Sequence, residues 1–493
     1  HSMSNTFHFG LLWFELGPIL PNVDAATGEH ESYASVIRWS VGVARALRAR
    51  GARAGDVLAL GGRNRVRLVA PYFAGLYCGL PVAGVDPTFK FDEIKSLFGI
   101  LRPRFAFCEA AARAHFDRAV RELELGTDVI SFDELESFVA EGGDDDAKEF
   151  QCLASTWRCV NLSTIIYLFN ISFITRTYGL NTSPVQWISW YFNSFGMPMM
   201  GYTILQTSAP QTTEHVIEII NKYKPATYTT SPSTLTLILR SDLDCDLTCF
   251  KNITILGSKM FNVMFVTPQS RMRPDALLLN AYGQSETLGP ALLPNPRGPP
   301  NNCGLAMPST PVKLVDPETE DEITEPNVPG ELWTRGVMFS EYYKNPKETA
   351  AALTADGWFR TGDLLQRDAD NNYFFVDRLK MLIKYRNAHV VPPEVEEVIM
   401  SHPRVLEAAV AGAPHRTDGE RVAACVVVRP GHGTVTAEEI QDLVTSKLSD
   451  AKHLRGGVIF LDELPKTSTG KVARSKIKEI VRNHCRIEES NDH

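Results

Sequence analysis

The chain has 493 residues, enough for two to four domains of ordinary size. Its hydrophobic share of 44% and charged share of 22% are typical of a globular protein and exclude a disordered, collagen-like or disulfide-dense chain. The formal net charge of −8 gives no electrostatic reason to bind nucleic acid, and we expect no nucleic-acid partner.

The cysteines and the chain ends bear on the cellular compartment. Nine cysteines without paired C-x-x-C spacing predict reduced thiols, and hence a cytoplasmic protein. The longest apolar run, residues 165–175, is far short of the ~20 residues that a membrane span needs, so no span is predicted. His1-Ser2-Met3 is typical of a tag remnant or a fragment boundary. The last residues, 490–493, do not form the peroxisomal S-K-L signal.

Helices and strands alternate from about residue 32. The predicted helices are Ser32–Arg50, Arg65–Cys78 and Phe91–Leu101, and the strands between and after them are Asp56–Leu60, Pro81–Val85 and Arg104–Cys108. Gly51 is placed to end the first helix. Such alternation predicts an α/β fold, with a mostly parallel sheet covered by helices on both faces.

The composition changes sharply after the acidic loop at residues 142–146. Residues 149–213 carry only Glu149, Arg158 and Arg176 as charges, three in 65 positions. This segment is either deeply buried or not the sequence that the fold originally carried. Beyond it we predict a helix at Thr213–Lys224 and a buried strand at Asn252–Leu256.

Residues 378–493 differ from the preceding chain in their predicted elements and in their net charge. Their predicted helices are Pro393–Ser401, Ala437–Leu448 and Val472–Val481, and their predicted strands are Leu406–Ala411, Val422–Val428 and Val458–Leu461. Residues 378–493 hold 18 basic and 16 acidic side chains, which leaves −10 for the rest of the chain. We therefore predict a small, slightly basic α+β domain after a large acidic α/β domain, with the boundary at residues 377–380.

Two motifs combine small residues with a carboxylate. The stretch 280–289, NAYGQSETLG, places Tyr282 and Glu286 close enough to stack a base and hold a cation, although for this motif alone a turn with a solvated glutamate is the favoured interpretation. In GWFRTGDL, residues 357–364, we expect Asp363 on a loop, where its carboxylate can accept hydrogen bonds from a ribose diol or merely form an Asx turn.

Two further motifs carry basic residues. Residues 373–396 place four cations, Arg378, Lys380, Lys384 and Arg386, just past the predicted boundary, where a solvated basic face is the simplest interpretation. Residues 464–474, LPKTSTGKVAR, form a Ser/Thr/Gly loop that presents Lys471 at a helix start, as a point charge for a phosphate. The spacing does not match a Walker P-loop.

In this order and spacing the four motifs resemble the adenylate-forming (AMP-binding) superfamily, and most closely its acyl-CoA synthetase branch with 4-coumarate–CoA ligases and luciferases. The stretch PGELWTRG at residues 329–336 adds to the resemblance, which runs from about residue 32 to 482. It implies an N-terminal AMP-binding domain over residues 1–377, a hinge at 378–380 and a mobile lid domain at 381–493. A peroxisomal location is also possible in this family.

The resemblance implies a ligase that joins a small carboxylic acid to coenzyme A through an acyl-adenylate, with ATP and Mg²⁺. It implies a role for each matching residue. These are nucleotide binding by Tyr282, Gly283, Ser285, Asp363 and Arg378, Mg²⁺ binding by Glu286, the hinge at Lys380, and catalysis by Lys471, Lys384 and Arg378. Neither the acid nor the oligomeric state can be read from the sequence.

The resemblance is weakest over residues 150–260. The family's phosphate loop, a Ser/Thr/Gly run ending in Pro-Lys-Gly, is expected near residues 168–185, yet no lysine occurs between Lys148 and Lys222. The spacing to the later motifs of the family suggests that roughly twenty residues are missing here, as in a truncated splice form or a faulty gene model. Two other positions depart: 257–260 read GSKM instead of Gly-Gly-Ala-Pro, and Asn387 replaces a glycine of the thiol tunnel.

These departures leave three hypotheses open. The first is an acid–CoA ligase impaired by the loss of the loop. The second is a non-catalytic protein of the same fold that binds a nucleotide or an acyl ligand. The third, which we rank lowest, is a luciferase-type monooxygenase.

Overall fold

The computed structural model describes residues 21–143, 177–199, 201–257, 271–307, 310–336, 338–386, 388–431, 433–467 and 471–491. The chain is a mixed α/β protein that divides into two compact units. The first unit holds the described residues up to 255, with 271–279 and 283–289. The second holds 256–257, 280–282 and the described residues from 290 onward.

The first unit is built on two sheets. Its strands are β1 (Pro21–Asp24), β2 (His30–Ser32), β3 (Leu58–Gly61), β4 (Val82–Val85), β5 (Phe105–Cys108), β6 (Asp128–Ser131), β7 (Thr177–Asn181), β8 (Tyr202–Gln206), β9 (Thr227–Thr230), β10 (Asn252–Ile255), β11 (Leu277–Asn280), β12 (Gly283–Gln284) and β13 (Gly289–Pro290). One sheet has the order β11-β10-β9-β7-β8-β1-β2, the other β4-β3-β5-β6, and β12 pairs with β13. The four-stranded sheet is entirely parallel.

Helices cover these sheets. They are α1 (Tyr33–Ala49), α2 (Val69–Tyr77), α3 (Phe91–Leu101), α4 (Ala110–Glu122), α5 (Leu135–Ala140), α6 (Ile188–Met199), α7 (Thr213–Tyr223) and α8 (Pro232–Arg240). Ser32 caps α1 by accepting the Ser35 N–H, and Gly51 follows its end at φ +81°, a backbone angle that glycine adopts without strain. The alternation predicted over residues 32–108 is confirmed.

The low-charge segment contains a central strand. Its described part is residues 177–199 and 201–213. Here residues 177–181 form β7, which lies between β9 and β8 in parallel register, and the last three residues of β7 are buried. Deep burial therefore explains the lack of charge in β7. Residues 177–181 offer no free run of amides to a phosphate, because this strand is paired on both sides. Residues 168–176 lie outside the described residues, so the loss of the phosphate loop stays a prediction.

Antiparallel and mixed sheets make up the second unit. Its strands are β14 (Leu292–Leu293), β15 (Leu305–Ala306), β16 (Val312–Val315), β17 (Glu322–Ile323), β18 (Gly330–Thr334), β19 (Phe359–Arg367), β20 (Tyr373–Arg378), β21 (Ile383–Tyr385), β22 (Ala388–Val390), β23 (Val405–His415), β24 (Gly419–Val428) and β25 (Val458–Phe460). Its helices are α9 (Pro346–Ala352), α10 (Pro392–Met400), α11 (Ala437–Lys447) and α12 (Arg474–Asn491).

The strands after residue 378 do not join the sheet before it. One sheet has the order β17-β16-β18-β19-β20, and β21 to β25 form another with its own apolar core. The elements predicted in the tail are confirmed, with α12 beginning two residues later than expected and running past residue 481. The domain boundary at residue 377 stays a prediction. Among the described helices, none combines the length and the apolar character that a membrane crossing requires.

Candidate nucleotide site

Asp363 lies on β19, directly opposite Arg378 on β20. The sequence-based expectation of a loop here is wrong: the aspartate belongs to a strand. The preceding Gly362 has φ +68°, which lets the strand bend where other residues would be strained. Glu331 Oε1 accepts the Gly362 N–H at 2.8 Å, and Thr361 Oγ1 accepts the Asp363 N–H at 3.2 Å. These contacts fix the backbone that carries the aspartate.

The carboxylate of Asp363 is buried and is contacted on both oxygens. The Tyr282 hydroxyl donates to Oδ2 at 2.9 Å, and Arg378 Nε lies 3.2 Å from Oδ1. The Tyr282 ring is buried beside Phe375, whereas 61% of the Arg378 side chain is exposed. Because each carboxylate oxygen has two acceptor positions, Asp363 can still receive hydroxyl donors, while Arg378 can turn its charge toward a phosphate.

Three residues that support the backbone around Asp363 had no predicted role. Glu331 accepts two N–H donors, from Gly362 and, at 2.8 Å, from the indole of Trp333. Thr361 donates to the Leu332 carbonyl at 2.6 Å while it accepts from Asp363. The available signal was that Glu331, Trp333 and Thr361 all lie within the two stretches PGELWTRG and GWFRTGDL.

Lys471 lies in the same unit, near Arg378 and Gly257. Burial lowers the pKa of its amino group, and the positive charge of Arg378 lowers this pKa further. A Cβ added at Gly257 would lie only 3.2 Å from Nζ of Lys471. A half-buried lysine has lost part of its hydration, and a polyphosphate beside it would offset this desolvation.

Replacing Gly257 with alanine tests this contact. The residue has φ +99°, so we expect Gly257→Ala to lower the free energy of unfolding by about 1–2 kcal/mol in denaturant titrations. The added methyl should also push the Lys471 amino group a few tenths of an ångström out of its half-buried position, so that its pKa moves toward the ordinary value of about 10.4.

Gly357 provides the matched control for that substitution. It has a similar angle, φ +85°, but the nearest atom to an added Cβ is Arg335 Cδ at 3.9 Å. Gly357→Ala should therefore cost similar stability and leave the pKa of Lys471 unchanged. An equal change in the Lys471 pKa in both variants would contradict the predicted contact.

Gly283, Ser285 and Glu286 belong to the first unit, on the turn between β12 and β13. Thr287 fixes this turn: its Oγ1 accepts the Gln284 N–H at 2.9 Å and lies 2.7 Å from the Gly289 carbonyl oxygen. Ser285 is exposed and Glu286 is half-buried. That Glu286 shares one cleft with Asp363 stays a prediction.

The sequence proposes one protein carboxylate, that of Glu286, as a ligand for Mg²⁺. Within the described residues, no group of three or more His, Cys, Asp or Glu side chains is arranged to hold a metal ion. Mg²⁺ commonly uses one or two protein carboxylates together with substrate phosphates and water. Glu286 fits that kind of site, and a preformed protein cage is not needed.

The remaining predicted residues lie near the start of the C-terminal sheet. Lys380 is exposed in a short 3₁₀ turn, Leu379–Met381, and its carbonyl accepts from Lys478 Nζ at 3.4 Å. Lys384 is exposed on β21, and its backbone N–H donates to Glu420 at 2.9 Å. The roles of both lysines stay predictions. Asn387 and residues 258–260 lie outside the described residues.

Two family models together match most of the chain. The family model "AMP-binding enzyme" matches residues 20–169 and 156–343, and the model "AMP-binding enzyme C-terminal domain" matches residues 394–471. The chain is 29% identical to a luciferin 4-monooxygenase of Photuris pensylvanica, over 94% of this chain and 92% of the relative. It is 27% identical to 4-coumarate–CoA ligase-like 6 of Oryza sativa, over 94% and 83%.

Solved structures share the fold at lower identity. The crystal structure of ATP-bound MatB from Rhodopseudomonas palustris superposes with a TM-score of 0.83 at 21% identity, covering 96% of this chain and 99% of that one. At this identity the likeness shows a common fold. It agrees with a large N-terminal domain of mostly parallel sheets and a smaller C-terminal domain.

Proposed function

Because the chain belongs to the family of AMP-binding enzymes, we propose that it is an ATP-dependent acid–CoA ligase acting through an acyl-adenylate. The observation that carries the proposal is the buried Asp363 carboxylate between the Tyr282 hydroxyl and the Arg378 guanidinium. Relatives named as 4-coumarate–CoA ligases support the same reaction class.

In the first step a carboxylate oxygen of the acid attacks the α-phosphorus of ATP. The bond to the bridging oxygen breaks, and pyrophosphate leaves with the electron pair. Negative charge gathers on the phosphoryl oxygens in the transition state, so fixed cations there speed the step. We assign that role to Lys471 and Arg378. Asp363 would accept hydrogen bonds from the ribose hydroxyls, and Glu286 would bind Mg²⁺ together with the phosphates.

In the second step the sulfur of coenzyme A attacks the acyl carbonyl carbon, and AMP leaves. Residues 381–493 would first rotate about the hinge at 378–380, which brings Lys384 toward the site. Asn387 stands where the family has a glycine, and its side chain would narrow the path of the thiol. We therefore propose that thioester formation is slower than adenylation.

We further propose that adenylation itself is slow, because no lysine lies between Lys148 and Lys222 to hold the β- and γ-phosphates. Because this lysine is missing, we also propose a second candidate function, that of a non-catalytic protein that binds a nucleotide or an acyl ligand. AMP lacks the two outer phosphates, so its binding should suffer less than ATP turnover.

The test is ATP–pyrophosphate exchange across a panel of aromatic and fatty acids, combined with AMP binding by calorimetry. Exchange that depends on one acid supports the ligase. Binding of AMP without exchange supports the non-catalytic candidate, and the absence of both contradicts the proposed nucleotide site. The luciferin 4-monooxygenase relatives motivate one more assay, oxygen-dependent light emission with luciferin.

A further inference from the structure

We propose that Glu396 and Arg474 are positioning residues, whose ion pair holds Lys471 at the place where it would meet the phosphates. This inference rests on the proposed function, since Lys471 has a catalytic role only in an adenylating enzyme. The contacts on which it depends all lie within the second unit.

Lys471 lies at the downstream end of the Ser/Thr/Gly loop, where its backbone pairs with Thr467. The Thr467 N–H donates to the Lys471 carbonyl at 2.7 Å, and Thr467 Oγ1 accepts the Lys471 N–H at 3.3 Å. Just beyond, the Ala473 N–H donates to the Pro465 carbonyl at 2.7 Å. The two ends of the loop are therefore joined to each other, and the position of the loop depends on what anchors them.

The downstream end is anchored by a buried carboxylate. Arg474, the first residue of α12, contacts both carboxylate oxygens of Glu396 on α10, with Nη2 2.9 Å from Oε2. Glu396 is only 1% exposed, and its Oε1 also accepts the Val410 N–H of β23 at 2.7 Å. One carboxylate thus connects α10, β23 and the residue three positions after Lys471.

The negative charges around Arg474 favour its ion pair with Glu396. Burial alone would lower the pKa of Arg474, but the hydrogen bonds to Glu396 raise this pKa above its ordinary value, and the nearby Asp377 adds to the effect. A buried pair with two parallel hydrogen bonds has a defined direction, and losing one partner leaves the other charge desolvated. Asp377 directly precedes Arg378, so the charge of Arg474 is also attracted toward the end of β20.

The upstream end of the loop has a weaker anchor that serves as a control. Lys466 Nζ lies 3.0 Å from Glu407 Oε1, with 38% and 30% of the two side chains exposed. Exposed pairs of this kind contribute little to stability or position. Comparing Glu396→Gln with Glu407→Gln therefore separates the buried anchor from a general effect of removing a negative charge near the loop.

The measurement is the pH dependence of Lys471 acetylation by dilute acetic anhydride, followed by mass spectrometry, with the exposed Lys384 as internal reference. The fitted pKa does not depend on turnover. In Glu396→Gln we expect the loop to loosen and the pKa of Lys471 to rise toward its ordinary value, because water regains access. Glu407→Gln should leave it unchanged. An unchanged Lys471 pKa in folded Glu396→Gln would overturn the proposal.

Two further variants test the same ion pair in case Glu396→Gln does not fold. Arg474→Lys keeps the charge but loses the two-point contact, so the Lys471 pKa should rise partway. Glu396→Asp should rescue most of the shift. If pyrophosphate exchange is measurable, Glu396→Gln should lower kcat at least tenfold with little change in the KM for ATP. Normal exchange in that variant refutes the positioning role and leaves the ligase intact. A pKa shift without exchange in any variant retains the positioning role and rejects the ligase.

Discussion

Inserting a phosphate loop between Lys148 and β7 is expected to raise ATP–pyrophosphate exchange by about a hundredfold to ten-thousandfold over the unmodified chain. Each preorganised donor group contributes roughly 3 kcal/mol to stabilising the transition state, and the loop supplies one or two such groups. The insertion must end before Thr177, because residues 177–181 form a strand paired on both sides. Initial exchange rates with a saturating acid are the measurement.

The matched control is the same insertion with alanine in place of its lysine. It keeps the added length and the backbone amides, so it should recover only part of the gain. Lys471→Ala in the inserted variant should reduce exchange about a hundredfold again. Fast exchange by the unmodified chain, abolished by Lys471→Ala alone, would show that the loop is not needed and that this prediction is wrong.

Asp363→Asn should weaken AMP binding by about thirtyfold to a thousandfold. Hydrogen bonds to a charged acceptor exceed neutral ones by about 1–2 kcal/mol each, and a ribose diol makes two of them. The amide also offers one acceptor oxygen in place of two and leaves Arg378 without its charge partner. Calorimetric titration with AMP gives the affinity, and circular dichroism checks that the variant is folded.

Tyr282→Phe is the control for that result. It removes the hydroxyl that donates to Asp363 Oδ2 but keeps the ring and the carboxylate charge. We expect a loss of AMP affinity of at most about tenfold, because this hydrogen bond lies within the protein and is present with and without AMP. If both variants bind AMP as the unmodified chain does, Asp363 does not contact the ribose.

The fold was largely predictable because helices and strands with regular apolar patterns alternate in its first part. Over residues 32–108, each helix shows an apolar stripe and each strand a short apolar run, and local pattern and tertiary burial agree. The strand β7 was not predicted. Its sequence, TYGLN, has neither alternation nor β-branched density beyond Thr177, and it is a strand because its neighbours on both sides pair with it.

The candidate site was predictable in its residue types but not in its connections. The spacing of Tyr282, Asp363 and Arg378 led to the family, yet nothing in the sequence says that the tyrosine hydroxyl donates to the aspartate 81 positions away. The pairing of Glu396 with Arg474 is likewise a contact over 78 positions. Such pairs form only when separate elements fold together, so local patterns cannot reveal them.

The hydrogen bond from Tyr282 to Asp363 has a consequence for which chemical groups the phenol oxygen can bind. A phenol has one proton, and here that proton is directed to Asp363 Oδ2. Toward any other group the oxygen offers lone pairs only. A group that meets this oxygen must therefore bring its own proton, as a hydroxyl or an amino group does, whereas a carbonyl oxygen would meet a second acceptor and be repelled. In this way Asp363 sets the polarity of the Tyr282 hydroxyl toward any group that approaches it.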